Sequence, residues 1–233
     1  MKTNHIIEAA LLAIGIVILG ICIKWGVDDF VNKDRRVTVK GLAEMEVPAD
    51  KVTWPILSKE IGNDLPTLYT KIRTTNAAIT AYLKAGGLQD SEICVNAPVV
   101  IDLNAERYSS IQSPYRYNIT SVITVTSSKV DKVRSLLQRQ GELLKDGIAI
   151  VSGDYDNPIR YDYTSLNSIK GKMMDEAIDN ASATAKQFAD VSKSKLGRIE
   201  NASQGQISIE DRDPNSPHIK RVRVVTTITY TLN

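Results

Sequence analysis

The chain has 233 residues, a charged fraction of 24% and a formal net charge of +2. This length suits one large domain or two small ones, and the balanced charge excludes an extended nucleic-acid-binding surface or an acidic tail. Its two cysteines are Cys22, in an apolar run, and Cys94, in a polar, strand-like segment. Cys94 therefore has no partner for an internal disulfide, and we expect a buried, inert thiol, with an intermolecular bridge as the alternative.

The N-terminal region contains a long apolar stretch. Residues 6–25 read IIEAALLAIGIVILGICIKW, and no charge interrupts the part from Ala9 to Ile23. About 20 apolar residues cross a bilayer core, and terminal Lys and Trp suit the interface. The stretch predicts an uncleaved signal anchor; a cleaved signal peptide and a buried soluble helix are the alternatives. The predicted anchoring side chains are Ile6, Leu11, Ile14, Ile18 and Trp25.

The anchor divides the chain into four predicted segments. Residues 1–5 form a short cytoplasmic tail, 6–25 the transmembrane signal anchor, 26–35 a tether and 36–233 the folded body. The charges on the two flanks are nearly balanced, so the orientation depends on the signal-like N-terminal position of the span. We expect a single-pass protein of the bacterial inner membrane with its C-terminal domain in the periplasm.

Two predicted strands open the body. Their apolar residues are Val37, Val39, Leu42 and Val47 in the first strand, and Val52, Trp54 and Ile56 in the second. Gly41 indicates a bulge, and the turn residues 48–50 join the two strands as a hairpin. Because proline cannot donate a ladder hydrogen bond, Pro55 indicates an edge position or an irregular strand end.

A helix follows, with Asp64 as its cap and Gly86-Gly87 as its end. Its predicted buried face consists of Leu65, Leu68, Ile72, Ile79 and Leu83. Strands over 92–101 and 115–126 then precede a second helix over 128–144. The apolar side of this second helix carries Val130, Val133, Leu137 and Leu144.

The same order of elements occurs a third time. Strands over 148–152 and 158–163 lead into a long helix over 165–192, and strands over 197–209 and 219–231 close the chain. Consecutive strands joined by short turns favour antiparallel sheets with helices packed on one face. We therefore predict an α+β fold of repeated strand-strand-helix units, in two lobes.

The long third helix carries alanine at every fourth position. These residues are Ala177, Ala181, Ala185 and Ala189. Positions four apart lie above one another on a helix, so the methyl groups form a shallow strip that another surface can approach closely. We interpret the strip as a packing surface against a sheet or helix, with a contact between subunits as the alternative.

Four stretches of the body resemble the SIMPL-domain (DUF541) family of envelope proteins. They are VTVKGLAEMEVPADKV, YRYNITSVITVTSSKVDKVRSLL, AIDNASATAKQFADVSKSKLGRI and RVVTTITYTL, in this order, within residues 36–233. The alanine-rich helix that ends at Leu-Gly is the best of these signatures. Family members usually have a glycine in the loop after this helix, where the present chain has Lys193.

The resemblance implies an exported bacterial envelope protein of the 26-kDa periplasmic immunogen type. At least one relative builds a large, ring-like, channel-shaped homo-oligomer, and others have a loose link to oxidative-stress tolerance. The family brings no catalytic residues and no cofactor, so the resemblance implies function through assembly.

The sequence offers few groups for catalysis. Its two histidines are His5, before the membrane span, and His218. A Ser-His-Asp site would have to use His218, and no Gly-x-Ser-x-Gly turn presents a nucleophile. Asp211 and Asp213 flank Arg212, which opposes cation binding, and neither an EF-hand loop nor a phosphate loop is present. We predict no enzyme activity, no metal and no cofactor.

Aromatic and basic side chains supply the remaining candidates. Tyrosine pairs spaced by two lie on one strand face, where they could bind glycans or a subunit, or form ordinary cross-strand pairs. This candidate binding face consists of Tyr115, Tyr117, Tyr161 and Tyr163, near Tyr108 and Tyr155. The basic cluster Lys220, Arg221 and Arg223 is too small for nucleic acid and suits a solvated strand edge.

These observations lead to one expected function and one alternative. We expect a non-catalytic, membrane-anchored envelope protein that acts by homo-oligomerisation or by contact with other envelope components, in envelope or oxidative-stress tolerance. The alternative is a periplasmic binding module for a small molecule or glycan, which would use the tyrosine-bearing strands.

Overall fold

The computed structural model describes residues 2–32, 35–105, 114–153 and 155–233. The described chain is an α+β protein with two antiparallel sheets and one apolar N-terminal helix, which confirms the predicted fold class. In chain order the helices and strands are α1 (Lys2–Asn32), β1 (Arg36–Pro48), β2 (Lys51–Gly62), α2 (Leu65–Ala85), β3 (Ile93–Val95), β4 (Val99–Asp102), β5 (Tyr117–Ser127), α3 (Val130–Arg139), α4 (Gly141–Lys145), β6 (Ile150–Ser152), β7 (Arg160–Asp162), α5 (Leu166–Val191), β8 (Leu196–Gln204), β9 (Ser208–Asp211) and β10 (Ile219–Leu232).

The chain divides into two compact units, each built from separate stretches of sequence. Unit 1 comprises Met1–Met45, Asn167–Ser208 and Val222–Asn233, and unit 2 comprises Glu46–Leu166 and Ile209–Arg221. The first sheet has the order β1-β10-β8, with β9 also paired to β10, and most of β1, β8 and β10 belongs to unit 1. The second sheet has the order β3-β5-β2-β6, with β4 on β5 and β7 on β2, and lies in unit 2.

Helix α5 packs on the first sheet within unit 1. Its buried residues are Met173, Ala177, Ala181, Ala185 and Ala189. Ala181 and Ala185 share a hydrophobic cluster with β1 and β10, to which Val39, Ile228 and Tyr230 contribute. Small side chains at these helix positions allow the helix to lie close to the strands.

Strand β1 alternates strictly between buried and exposed residues. Val37, Val39, Gly41 and Ala43 point inward, whereas Leu42 is 41% exposed. The prediction that Gly41 forms a bulge was therefore wrong, and Leu42, one of the apolar residues that marked the strand, lies on its exposed face. Side chains of a regular strand alternate, so the inward positions follow from Val37 and Val39, whatever the hydrophobicity of Leu42.

The predicted hairpin of the first two strands was also wrong, because β1 and β2 belong to different sheets. The corner between them bonds to other parts of unit 2. The N–H of Ala49 donates to the carbonyl of His218, and the N–H of Asp50 donates to the carbonyl of Asp162. The Asp50 carboxylate also accepts from the backbone N–H groups of Thr164 and Ser165, just before α5.

Strand β2 is the centre of the second sheet. It pairs with β5 along its length and with β6 and β7 on its other side. Pro55 was predicted to lie at a sheet edge or at an irregular strand end, but it lies inside a strand that is paired on both sides. Register partners in β7 end at Thr53 and those in β6 begin at Ile56, so Pro55 lies between the two pairings, where its missing N–H removes no bond.

Helix α2 covers one face of the second sheet. Asp64 caps it by accepting from the N–H of Thr67 at 3.0 Å, and Gly86 stands at its C-terminal end, as predicted. Four of the five predicted inward residues are buried, and Leu65 is 37% exposed. Leu83 and Ile79 join Trp54 and Ile56 of β2 in the main core of unit 2.

The second predicted helix is interrupted. It forms α3 and α4, which meet at Gln140-Gly141. The interruption changes which residues face the core, because Leu143 is buried and Leu144 is 59% exposed. The expectation that Leu144 continues the face of Val133 was therefore wrong, since helical periodicity predicts a face only where the helix is continuous.

Candidate functional site

The apolar part of α1 is the first candidate site. The segment Ala9–Val27 has 19 residues, is long and apolar enough to cross a membrane, and none of it is buried within the chain. Leu11, Ile14, Ile18 and Trp25 are each more than half exposed. The side chains of Ile6 and His5 lie outside the described residues. This helix is weak evidence for a signal anchor or membrane span.

The alanine strip lies inside unit 1. Ala177, Ala181 and Ala185 have no exposed surface, and Ala189 is 2% exposed. A Cβ at Gly41 of β1 would overlap the carbonyl oxygen of Ala177 and the backbone nitrogen of Ala181. The alanine strip thus packs against strand β1 of the same chain. These methyl groups have almost no exposed surface with which to contact another subunit.

The two tyrosine pairs lie at opposite ends of β2. Tyr117 pairs with Gly62 and Tyr161 with Val52, ten residues apart, which is about 33 Å along a strand. Tyr115 precedes β5. Tyr163 follows β7. The structure therefore does not bring the four predicted tyrosines together, and Tyr108 lies outside the described residues.

His218 packs in unit 2 beside Tyr161. The two rings meet edge to face, with 6.2 Å between centroids. Burial, followed by the charges of Arg134 and Arg212, lowers the pKa of His218. The His218 imidazole therefore packs against an aromatic ring in surroundings that disfavour its charged form.

The basic cluster of Lys220, Arg221 and Arg223 was predicted to lie on a solvated strand edge. This prediction was wrong for Lys220. This residue is 8% exposed and pairs with Asp211, and its strand β10 lies between β1 and β8. The neighbouring Arg212 pairs with Asp213 and Glu46. These charges therefore neutralise one another, and no group of metal-binding side chains occurs in the part of the chain that the structure describes.

The thiol of Cys94 is exposed, so the prediction of a buried thiol was wrong. The exposure arises because β3, which carries Cys94, is an edge strand of the second sheet.

Glu92 has its pKa lowered to about 2 by hydrogen bonds from Lys129, Ser127 and the backbone of Gln89. The shift at Glu92 has a structural origin, because its carboxylate joins the start of β3 to the end of β5.

Comparison with known proteins places this architecture in a family. A family model described as SIMPL, protein of unknown function (DUF541), matches residues 37–228. The chain belongs to the SIMPL family. This result confirms the resemblance seen in the sequence. The chain has no match among curated proteins.

The SIMPL match includes the alanine helix and the turn where this chain departs from the usual family pattern. Lys193 has a positive φ of 54°, a conformation that glycine adopts readily. The N–H of Ser194 donates to the carbonyl of Ala189, and the N–H of Lys193 to that of Asp190. These two bonds form a Schellman end to α5, so the loop keeps its form without glycine.

The SIMPL domain also contains a polar cleft that the sequence did not indicate. The cleft has a volume of about 550 Å³ and lies between α2, the end of β2 and the loop before β6. Glu60, Lys71 and Asp146 bring charges of both signs to its walls, together with Thr75. Their sequence separation explains why no motif revealed them. The cleft can accommodate a small polar molecule by volume.

Proposed function

We propose that this protein is a non-catalytic, membrane-anchored component of the bacterial envelope. Its SIMPL domain would act by self-association and by contact with other envelope proteins. The observation that carries the proposal is the apolar segment Ala9–Val27, which precedes the SIMPL domain and has no residue buried against the part of the chain that the structure describes. Exposed apolar surface of this length is stable in a bilayer.

The same segment also supports a proposed orientation. A short N-terminal tail would remain in the cytoplasm, and the SIMPL domain would stand in the periplasm as part of a single-pass inner-membrane protein. The position of the segment near the N-terminus supports this arrangement. The proposed setting in envelope or oxidative-stress tolerance has its support in the family resemblance.

Self-association has support in the edge of the first sheet. Strand β8 pairs with β10, and seven of its nine residues are exposed. An open strand edge is a template for pairing with another chain. Anchoring to one membrane also raises the effective concentration of neighbouring copies.

The native cysteines allow a test of the anchor. Cys22→Ser leaves the exposed Cys94 as the only thiol, which can be labelled with a membrane-impermeant polyethylene-glycol maleimide in spheroplasts. We expect labelled protein in carbonate-washed membranes, and none with Cys94→Ser added. Protein in the soluble fraction, or labelling only after lysis, would contradict the anchor or its orientation.

A paired substitution tests self-association. Light scattering of the full-length protein in detergent should give a mass of several subunits. Ile199→Lys adds a charge to the β8 edge and should lower this mass, whereas Ile178→Lys, at an exposed position of α5, should not. A monomeric wild-type protein would exclude self-association.

The polar cleft favours a second candidate function, the binding of a small molecule. Glu60, Lys71 and Asp146 bring charges of both signs to its walls, which suits a zwitterion or an amino sugar. Glutamate and glucosamine serve as probes in a thermal-shift assay. A rise in melting temperature that Lys71→Ala or Glu60→Ala removes would support this function, and no shift with either probe would count against it.

A further inference from the structure

The second sheet ends in an apolar edge. Strands β3 and β4 both pair with β5 on one side, and on the other side they pair with no strand of the described residues. Val95, Val99 and Val100 are 50%, 61% and 45% exposed. Folded proteins normally protect such edges with charges or a covering segment, so an exposed apolar edge indicates a contact surface.

Two grooves lie between this edge and α2. Val95 lines the first groove with Ala77 and Ala81, and its volume is about 390 Å³. Val100 lines the second with Leu65 and Tyr69, and its volume is about 290 Å³. The register partners of Val95 and Val100 are Ile123 and Ile119, which are both buried, so the two valines point to the same face of the sheet.

The arrangement matches the recognition of an extended peptide by strand addition. In this mode the main chain of the peptide pairs with a free edge, and its alternate side chains enter pockets on one face. Val95 and Val100 lie opposite Ile123 and Ile119, which are four residues apart on β5, about 13 Å along a strand. Side chains about four residues apart on an added strand would therefore reach both grooves.

The lining chemistry defines the side chains of the partner. The second groove is lined by Leu65, Pro66, Tyr69, Val100 and Ile119. The charged group at the first groove is Lys84, which pairs with Asp90. Apolar side chains of the partner therefore find complementary walls, whereas a charged side chain would lose hydration without gaining a partner.

The small extent of the surface argues against a second copy as the occupant. Eleven residues line the two grooves, whereas each side of a stable protein interface contributes roughly 20–30. Pro98 separates the three-residue strand β3 from the four-residue strand β4. Two copies that paired through β4 would therefore leave the groove at Val95 empty, and a single extended segment fills both.

We propose that the edge formed by β3 and β4 binds an extended segment of another protein, with apolar side chains at alternate positions. The segment adds a strand to the second sheet and places two side chains in the grooves beside Val95 and Val100. This inference does not depend on the membrane anchor or on self-association through β8.

A fluorescein-labelled ten-residue peptide of alternating Val and Lys is the probe, with full-length protein in detergent. Anisotropy should show saturable binding, and proline in place of alternate valines should abolish it, because proline disrupts an extended pairing strand. Val100→Glu and Val95→Glu should weaken binding at least about tenfold. Val99→Glu, on the same edge but the opposite face, is the matched control and should retain binding.

Each other result would overturn the proposal. Absence of saturable binding, or retained binding by the proline peptide, excludes strand addition. An equal loss with Val99→Glu excludes the grooves as the determinant. A dimer that Val100→Glu dissociates and Ile199→Lys does not would make a second copy the occupant. Melting curves of the variants confirm that each folds, which is expected because the three valines are exposed.

Discussion

At the scale of single residues, close packing explains the best signature of the sequence. The alanines of α5 meet β1 at Gly41, where the strand backbone has no room for a side chain. Ala177 and Ala181 are fully buried at this contact. The glycine and the alanines therefore form one packing unit. The helix can approach the strand this closely only because both surfaces carry small residues at the contact.

Gly41→Ala should lower the free energy of unfolding by about 3 kcal/mol. Overpacking of a tight contact typically costs about 1–3 kcal/mol. The upper end applies because the added Cβ would overlap backbone atoms of Ala177 and Ala181, which cannot move aside as a flexible side chain can. Gly171→Ala is the control, because a Cβ at this position of α5 meets no atom within 4 Å. The control should gain about 0.5–1 kcal/mol of stability. Denaturant titration measures both values, and equal stability of the two variants would exclude the packing argument.

At the scale of elements, the C-terminal end of α5 is held in a conformation that its residue does not favour. Lys193 is the only non-glycine with positive φ in the described chain. A left-handed conformation costs a side-chain-bearing residue roughly 1–2 kcal/mol. The two Schellman hydrogen bonds of this turn offset that cost.

Lys193→Gly should therefore stabilise the protein by about 1 kcal/mol, seen as a higher melting temperature. The same substitution inside the helix, Lys186→Gly, should destabilise it by a similar amount because glycine is a poor helix former. Loss of stability in Lys193→Gly would mean that its side chain, and not the backbone conformation, matters at this turn.

Local patterns predicted the elements well and their pairing poorly. The spacing of Leu68, Ile72, Ile79 and Leu83 and the Asp64 cap were sufficient to define α2. The alternation of Val52, Trp54 and Ile56 likewise identified β2 but did not show which strands would lie beside it. Strand partners depend on contacts far apart in sequence, which a short turn such as residues 48–50 does not determine.

The candidate sites were harder to predict for the same reason. The apolar segment was visible because a helix long enough to cross a membrane is continuous in sequence. The cleft with Glu60 and Asp146 combines residues 86 positions apart, and the edge grooves combine α2 with β3 and β4. The tyrosine face failed because spacing within a strand places two rings on one side but does not place two strands together.

At the scale of the whole molecule, two groups in unit 2 make stability depend on pH in separate ranges. His218 has a lowered pKa, so folding disfavours its charged form. Its stabilising effect is complete above the unfolded pKa of about 6.5 and is lost as pH falls below that value. Glu92, with a pKa of about 2, loses its effect only as pH falls from about 4.5 toward 2.

His218→Gln should therefore flatten the fall in melting temperature below about pH 6.5, because glutamine binds no proton there. Glu92→Gln should leave that range unchanged and lower the melting temperature at neutral pH, where the carboxylate is ionised in the wild type. Scanning calorimetry of each variant across pH separates the two effects. Identical pH profiles for His218→Gln and wild type would contradict the role of the imidazole.

The order of strands in the first sheet also has a consequence for biosynthesis. Strand β10 lies between β1 and β8 but follows both in the chain. During synthesis, β1 and β8 thus emerge before the strand that joins them, and the interior of unit 1 stays open to other nascent chains. Incomplete chains that stop before β10 would expose the alanine helix and aggregate, which makes them substrates for chaperones and proteases.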